Sequence, residues 1–224
     1  MNTIIIITLF ITSYLLGSIP SGYLLTKMVK NDDIRNHGSQ STGATNTTRV
    51  LGLKFGILAM LFDALKGIII PIILTIFKLI DLYNITLFNK SINIIAYYGI
   101  FAVIGHIYPI FLNFKGGKAV ATSFGVLAFV SPYLAILGVL LFIIIIALTD
   151  YVSLGSILGS SILVIIAVIT SLLNIRIFNS PVIPIETSIA FIILVTIIIL
   201  RHLPNINRLI NGTENKVSKM KQDK

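Results

Sequence analysis

Runs of about twenty apolar residues recur along this chain, and no other feature limits its fold so tightly. A helix needs about 20 such residues to cross the hydrocarbon of a bilayer. Residues 3–25, 56–79, 92–112, 155–173 and 185–201 each come near that length. The stretch 119–148 is harder to place. As one helix its roughly thirty residues would run about 45 Å at 1.5 Å per residue, well beyond a hydrocarbon core of about 30 Å. Ser131-Pro132 falls near its middle, and the residue before a proline is driven out of helical geometry. The stretch is either one kinked span or a short span, a tight turn and a second span.

Composition agrees. The chain is 56% hydrophobic and 11% charged, whereas soluble domains carry about 25% charged residues. The absence of cysteine excludes disulfides, zinc-thiolate sites, iron–sulfur clusters and cysteine nucleophiles. A net charge of +9 would suggest nucleic acid in a soluble protein. In a membrane protein it marks a basic cytoplasmic face against anionic lipid. The opening MNTIIIITLFITSYLLGS has no basic residue, and the first cation is Lys27. That pattern is a first span with its amino terminus outside, not a cleaved signal.

Charge also selects the number of spans. With seven, Lys27, Lys30, Arg35, Arg49 and Lys54 share an inner loop, and Lys115 and Lys118 share the next. Arg201, Arg208, Lys216, Lys219, Lys221 and Lys224 then lie in an inner tail, leaving Lys78, Lys90 and Arg176 outside. Six spans would export that tail against the positive-inside rule. The expectation is an all-α polytopic membrane protein of seven transmembrane helices, amino terminus outside and carboxyl terminus cytoplasmic. Residues 1–203 form its membrane domain and 204–224 a basic cytoplasmic tail. Four polar segments then face one side: 27–55, 113–118, 149–155 and the tail from 201. The outer loops 80–91 and 174–184 read as connectors.

Those inner segments carry the chemistry. RNHGSQSTGATNTTRVLG, residues 35–52, spaces Gly38 and Gly43 among Ser39, Asn46 and Arg49. Glycines let backbone N–H groups turn toward an anion, and arginine offers a planar fork suited to phosphate; a flexible polar loop is the plainer reading. In NFKGGKAVATSFG, Gly116 and Gly117 precede an apolar helix whose positive end attracts anions. Lys118 sits at that end, where a cation opposes the helix dipole and a bound anion would relieve the cost. In the tail, His202, Asn205 and Arg208 lie three apart, close to one helical face, with Pro204 placed to start a helix. Ser153, in DYVSLGS, reads as a helix cap raised only by its sidedness. His106 reads as a hydrogen-bonded structural residue at the exit of the third span, and GSIPSG (17–22) as a break in the first. Asp63 and Lys66 share a helix face within the second span, as either a structural brace or a functional pair.

GSIPSGYLL, GSQSTGATNTTRVLG, DALKG, GHIYPIFLNFKGGKAVAT, YVSLGS and RHLPNINRLINGTE together resemble the bacterial acyl-phosphate:glycerol-3-phosphate acyltransferase family, in order along nearly the whole chain. The resemblance implies a seven-helix enzyme of the bacterial inner membrane, making lysophosphatidic acid from glycerol 3-phosphate and an acyl phosphate. It implies no metal, no other cofactor and no nucleic acid. Its partners would be membrane lipid and an upstream enzyme that forms acyl phosphate. Carried over by position, the catalytic residues are Ser39, Arg49, Lys118, Ser153, His202 and Asn205. Gly38, Gly43, Asn46, Gly116, Gly117 and Arg208 bind substrate. Gln40-Ser41 replace the family's usual Gly-Asn, and Leu203 its usual arginine after the histidine. A transporter for a phosphate-bearing metabolite would use the same cations, but should show internal repeats and a polar path outward.

Overall fold

The computed structural model describes residues 2–87, 89–177 and 180–218. Lys219, Lys221 and Lys224 of the expected basic tail lie outside the described residues. The chain divides into two compact units at Val130/Ser131.

In the first unit, α1 (Asn2–Gly17) ends where Pro20 breaks the span, and α2 (Ser21–Lys30) follows. The break falls within GSIPSG, as expected from a proline that cannot continue the hydrogen-bond ladder. After a turn at Ile34–Asn36 come α3 (Ala44–Leu51) and the long α4 (Leu53–Ile76). A hairpin, β1 (Asn84–Leu87) with β2 (Lys90–Asn93), pairs Asn84 with Asn93 and Leu87 with Lys90. Sequence treats this segment as a plain connector. Its Ile85–Ile92 pair packs against a core of Ile6, Ile70, Leu74, Leu82, Ile94, Ile95 and Tyr98, which is what makes so short a hairpin stable. The unit closes with α5 (Ile95–Ile107), a turn at Ile110–Leu112 and α6 (Val120–Val130).

Two glycines set how α6 is held. A Cβ at Gly67 would meet the Thr122 carbonyl at 2.2 Å, and one at Gly125 the Ala64 carbonyl at 2.1 Å. The helices α4 and α6 therefore cross in near backbone contact, the packing mode that small residues permit inside a bilayer.

The second unit contains α7 (Pro132–Thr149), α8 (Val152–Leu172), α9 (Ile185–Arg201) and α10 (Leu203–Ile210). The 119–148 stretch resolves as two helices, α6 and α7, with Ser131 extended between them and Pro132 opening α7. Among the described residues, five helical stretches are long and apolar enough to span a membrane, or six if α9 and α10, bent by 54°, count as one. At 11 residues, α6 is about 16 Å long at 1.5 Å per residue, short of a full crossing. Ile136, Leu140, Ile143, Ile144 and Leu148 stand exposed along α7. Such a face is stable only in lipid.

Candidate active site

The first inner loop is built around Asn46, which is buried at 1% exposure. Its Nδ2 donates to the carbonyls of Ser41 at 2.9 Å, His37 at 3.0 Å and Ile34 at 3.3 Å. Its Oδ1 accepts from the Ser39 N–H at 2.8 Å. The loop can close this tightly because Gly38 adopts φ +57°, and a Cβ there would lie 2.3 Å from Asn46 Oδ1. The same position is 3.7 Å from Arg49 Cδ, so the Arg49 side chain runs beside Gly38-Ser39. Gly43 serves as the N-cap of α3, accepting from Asn46 and Thr47 N–H groups. At the loop's start Arg35 grips Asp33 at 2.6 Å. That guanidinium holds the Asp33 carboxyl below its ordinary 3.8.

Arg35 also joins this loop to the glycine–lysine segment, through Nη1 to the Leu112 carbonyl at 3.4 Å. The first two polar segments of the sequence thus meet within the first unit. The glycines do something different from what their spacing suggests. Gly116 N–H donates to the Ile107 carbonyl and Gly117 N–H to the His106 carbonyl, both at 3.1 Å. Their N–H groups close the loop onto the end of α5. Under Gly117 lies the His106 ring, with Nε2 only 2.2 Å from where a Cβ would stand. His106 Nδ1 is 3.5 Å from Asp63 Oδ1, which Lys66 Nζ holds at 2.6 Å. Lys118, half-buried, follows directly, and Ala119 takes φ +59° before α6 begins. Just below, the buried hydroxyls of Thr122 and Ser123 have no hydrogen-bond partner.

The other two polar segments meet in the second unit. Glu214, buried at 9% exposure, accepts from Asn205 Nδ2 at 2.8 Å and Ser153 Oγ at 3.2 Å on one oxygen. Its second oxygen accepts from Arg208 Nε at 2.8 Å. His202 is buried, and its Nδ1–H donates to the Ile198 carbonyl at 2.8 Å. That bond keeps a proton on Nδ1, so in the neutral ring the lone pair is on Nε2. Residues 216–218 clip the tail onto the α7–α8 turn. Val217 N–H donates to the Asp150 carbonyl, Ser218 bonds the Asp150 carboxylate, and Lys216 lies over the Tyr151 ring.

A family model described as glycerol-3-phosphate acyltransferase matches residues 7–212. The chain belongs to the glycerol-3-phosphate acyltransferase family. Curated members agree over their full length. The Acholeplasma laidlawii glycerol-3-phosphate acyltransferase is 39% identical, covering 99% of this chain and 97% of its own. That of Enterococcus faecalis is 43% identical, over 95% and 92%. A crystal structure of PlsY (YgiH), an integral membrane glycerol 3-phosphate acyltransferase in its glycerol 3-phosphate form, superposes with a TM-score of 0.79. It is 36% identical and covers 94% of both chains. The lysophosphatidic acid form gives 0.77 at 34% identity.

Among the family motifs carried by this chain, sequence reasoning missed Glu214 and the partners of His106. Glu214 ends the RHLPNINRLINGTE motif, and an acidic residue closing that motif in a strongly basic tail was the available signal. For His106, Asp63 and Lys66 the signal was the rarity of ionisable groups inside apolar spans.

Proposed function

We propose that this acyltransferase moves a fatty acyl group from acyl phosphate to a hydroxyl of sn-glycerol 3-phosphate, giving lysophosphatidic acid and phosphate as the first step of phospholipid synthesis. The observation that carries the reading is the family match over residues 7–212, joined to the placing of the motif residues in two ordered polar clusters. An acyl phosphate is a mixed anhydride with a good leaving group. The protein therefore has to position the hydroxyl, hold two phosphates that repel one another and move one proton. Positioning alone supplies about 7–11 kcal/mol when the geometry is near attack.

Arg49 and Lys118 are the cations assigned to the phosphates, and Ser39 and Arg208 are assigned as further donors. They offset the repulsion and stabilise the departing phosphate as the carbonyl C–O bond breaks. Gly38 and Gly43 let the backbone of the first loop approach the substrate closely, with Asn46 holding that loop, and Gly116 and Gly117 let the lysine loop close on α5 and bring Lys118 to the substrate. Ser153 and Asn205, fixed by Glu214, orient the glycerol. The hydroxyl proton passes either to a phosphate oxygen of the donor or to His202 Nε2.

The membrane arrangement belongs to the same proposal. It has seven crossings in the bacterial inner membrane, with the amino terminus outside and α6 with the loop before it completing the short one. The upstream enzyme that forms acyl phosphate is the natural partner.

Phosphate release by purified protein tests the reading. Release that requires both acyl phosphate and glycerol 3-phosphate is expected; release with neither dependence, or none with acyl phosphate, rejects it. Lys118→Ala should lose at least about a hundredfold in kcat, the scale of one oxyanion-stabilising donor. If His202→Ala loses about 10²–10⁴-fold, the histidine is the base; if it keeps most activity, the donor phosphate takes the proton.

A further inference from the structure

The acyl-transfer reading leaves unused the most unusual polar group in the first unit. Asp63, Lys66 and His106 are all buried, at 1%, 8% and 6% exposure. Ionisable groups at that depth in a bilayer are costly and are kept for a reason. Asp63 and Lys66 stand three residues apart on the same α4, so the pair by itself ties no second helix, and any brace to α5 runs through His106. What the pair achieves is a carboxylate held opposite His106 Nδ1, on α5, at 3.5 Å.

The other ring nitrogen of His106 faces the glycine–lysine loop. Its Nε2 fills the position where a Gly117 side chain would begin, and Cδ2 and Cε1 lie 3.1 Å from that point. The loop is sewn to the same residue by the bond from Gly117 N–H to the His106 carbonyl at 3.1 Å. Lys118 is the next residue. Asp63 lies ten residues along α4 from Leu53, about 15 Å at 1.5 Å per residue. Through His106, the loop before Lys118 is therefore tied to the middle of α4 rather than to its end. Irregular backbone at such depth needs protein or water around it.

We propose that His106, fixed by Asp63 and Lys66, is the seat of the Gly116–Lys118 loop, and that the three are positioning residues for Lys118. This rests on the acyltransferase reading, since the reaction is what reports the position of Lys118. The ring holds the loop at one height, and Asp63 holds the ring. Glycine at 117 is the residue that allows the contact.

The test is a mutant cycle on the full chain in detergent, read by phosphate release and by thermal midpoint. His106→Ala should lower kcat about a hundredfold, the cost of an ångström-scale misplacement, and leave KM for glycerol 3-phosphate within about threefold of wild type, since uniform substrate binding is kept. His106→Gln, which keeps a polar atom beneath the loop, should recover at least about tenfold of that hundredfold loss. Gly117→Ala should lose activity through the clash, and adding His106→Ala should make matters no worse than His106→Ala alone, because coupled sites are not additive. Losses that multiply, a His106→Gln as impaired as the alanine, or an unaffected kcat in His106→Ala would each overturn the proposal. Should His106→Ala fail to fold, Asp63→Asn with Lys66→Met carries the same expectation of lower kcat at unchanged KM. If wild type turns over no acyl phosphate, the acyltransferase reading falls. The seat is then judged by midpoints alone, with Gly117→Ala lowering the midpoint of wild type but not that of His106→Ala.

Discussion

At Asn46 every polar atom of the side chain is engaged within one loop. Three carbonyls face its Nδ2 and one N–H faces its Oδ1, an arrangement that no other residue type satisfies at that volume. Asn46→Ala takes the partner from the Ser39 N–H and the Ser41 carbonyl, while the Ile34 and His37 carbonyls keep the His37 and Gln40 N–H groups, and should cost about 2–6 kcal/mol, at about 1–3 for each of the two groups left unsatisfied. Asn46→Asp should cost more, because it turns an oxygen toward carbonyl oxygens that need a donor. Thermal midpoints of the two variants in the same detergent check the order; an aspartate more stable than the alanine would show that the loop does not rely on those bonds. Sequence places Asn46 among the substrate-binding residues because it sits in a glycine-spaced polar loop. Residue type and spacing locate such a loop but do not separate a group that lines it from one that holds it shut. Gly116 and Gly117 teach the same lesson, since their spacing suggests an anion nest while their N–H groups close on α5.

Between elements, the most informative contact is the one Glu214 makes to Asn205 and Arg208 near α10 and to Ser153 at the start of α8. Glu214→Ala strands the buried Asn205 amide and releases a partly exposed Arg208, and should destabilise by about 1–3 kcal/mol, the cost of one buried donor left unsatisfied, since a solvent-screened ion pair adds little. Glu214→Gln should fall between, since its carbonyl still serves Asn205 while its amide faces Arg208 Nε. Midpoints with phosphate-release rates measure both. The tail clip makes a pH prediction. The Ser218 hydrogen bonds lower the Asp150 carboxyl below its ordinary 3.8. A depressed carboxylate stabilises the folded form above its unfolded value, and that stability is lost as pH falls through the folded one. Residues 216–218 should therefore stay clipped above pH 3.8 and loosen below it, seen as faster amide exchange at Val217 and Ser218, whereas Asp150→Asn should show no such step. The proline-marked breaks were legible from sequence because proline acts locally. Glu214 reaching Ser153 was not, because 61 residues separate them and no local pattern encodes that contact.

For the molecule as a whole, sequence carries the class of fold through the lengths of its apolar runs, and the membrane through the exposed aliphatic faces of α4 and α7. It carries the count of crossings less directly, because α6 has 11 residues and counts as a span only with the chain that leads into it. The positive-inside rule supplies what length alone leaves open. Its consequence is sidedness, and a chain without cysteine makes sidedness measurable residue by residue. Ser153 is a poor reporter, being buried against Glu214. Ser91 in the hairpin and Asn211 after α10 are exposed, and neither is assigned a part in the site. In sealed, oriented vesicles Ser91→Cys should react with an impermeant maleimide only from the outer side, and Asn211→Cys only from the cytoplasmic side. An odd number of crossings separates them in the seven-span arrangement. If α6 and α7 together made a single crossing, or none, the parity between positions 91 and 211 would change in the first case and not in the second. Labelling of both positions from one side would therefore remove the seven-span arrangement, and labelling of both from the outer side would remove with it the cytoplasmic placement of the His202 cluster.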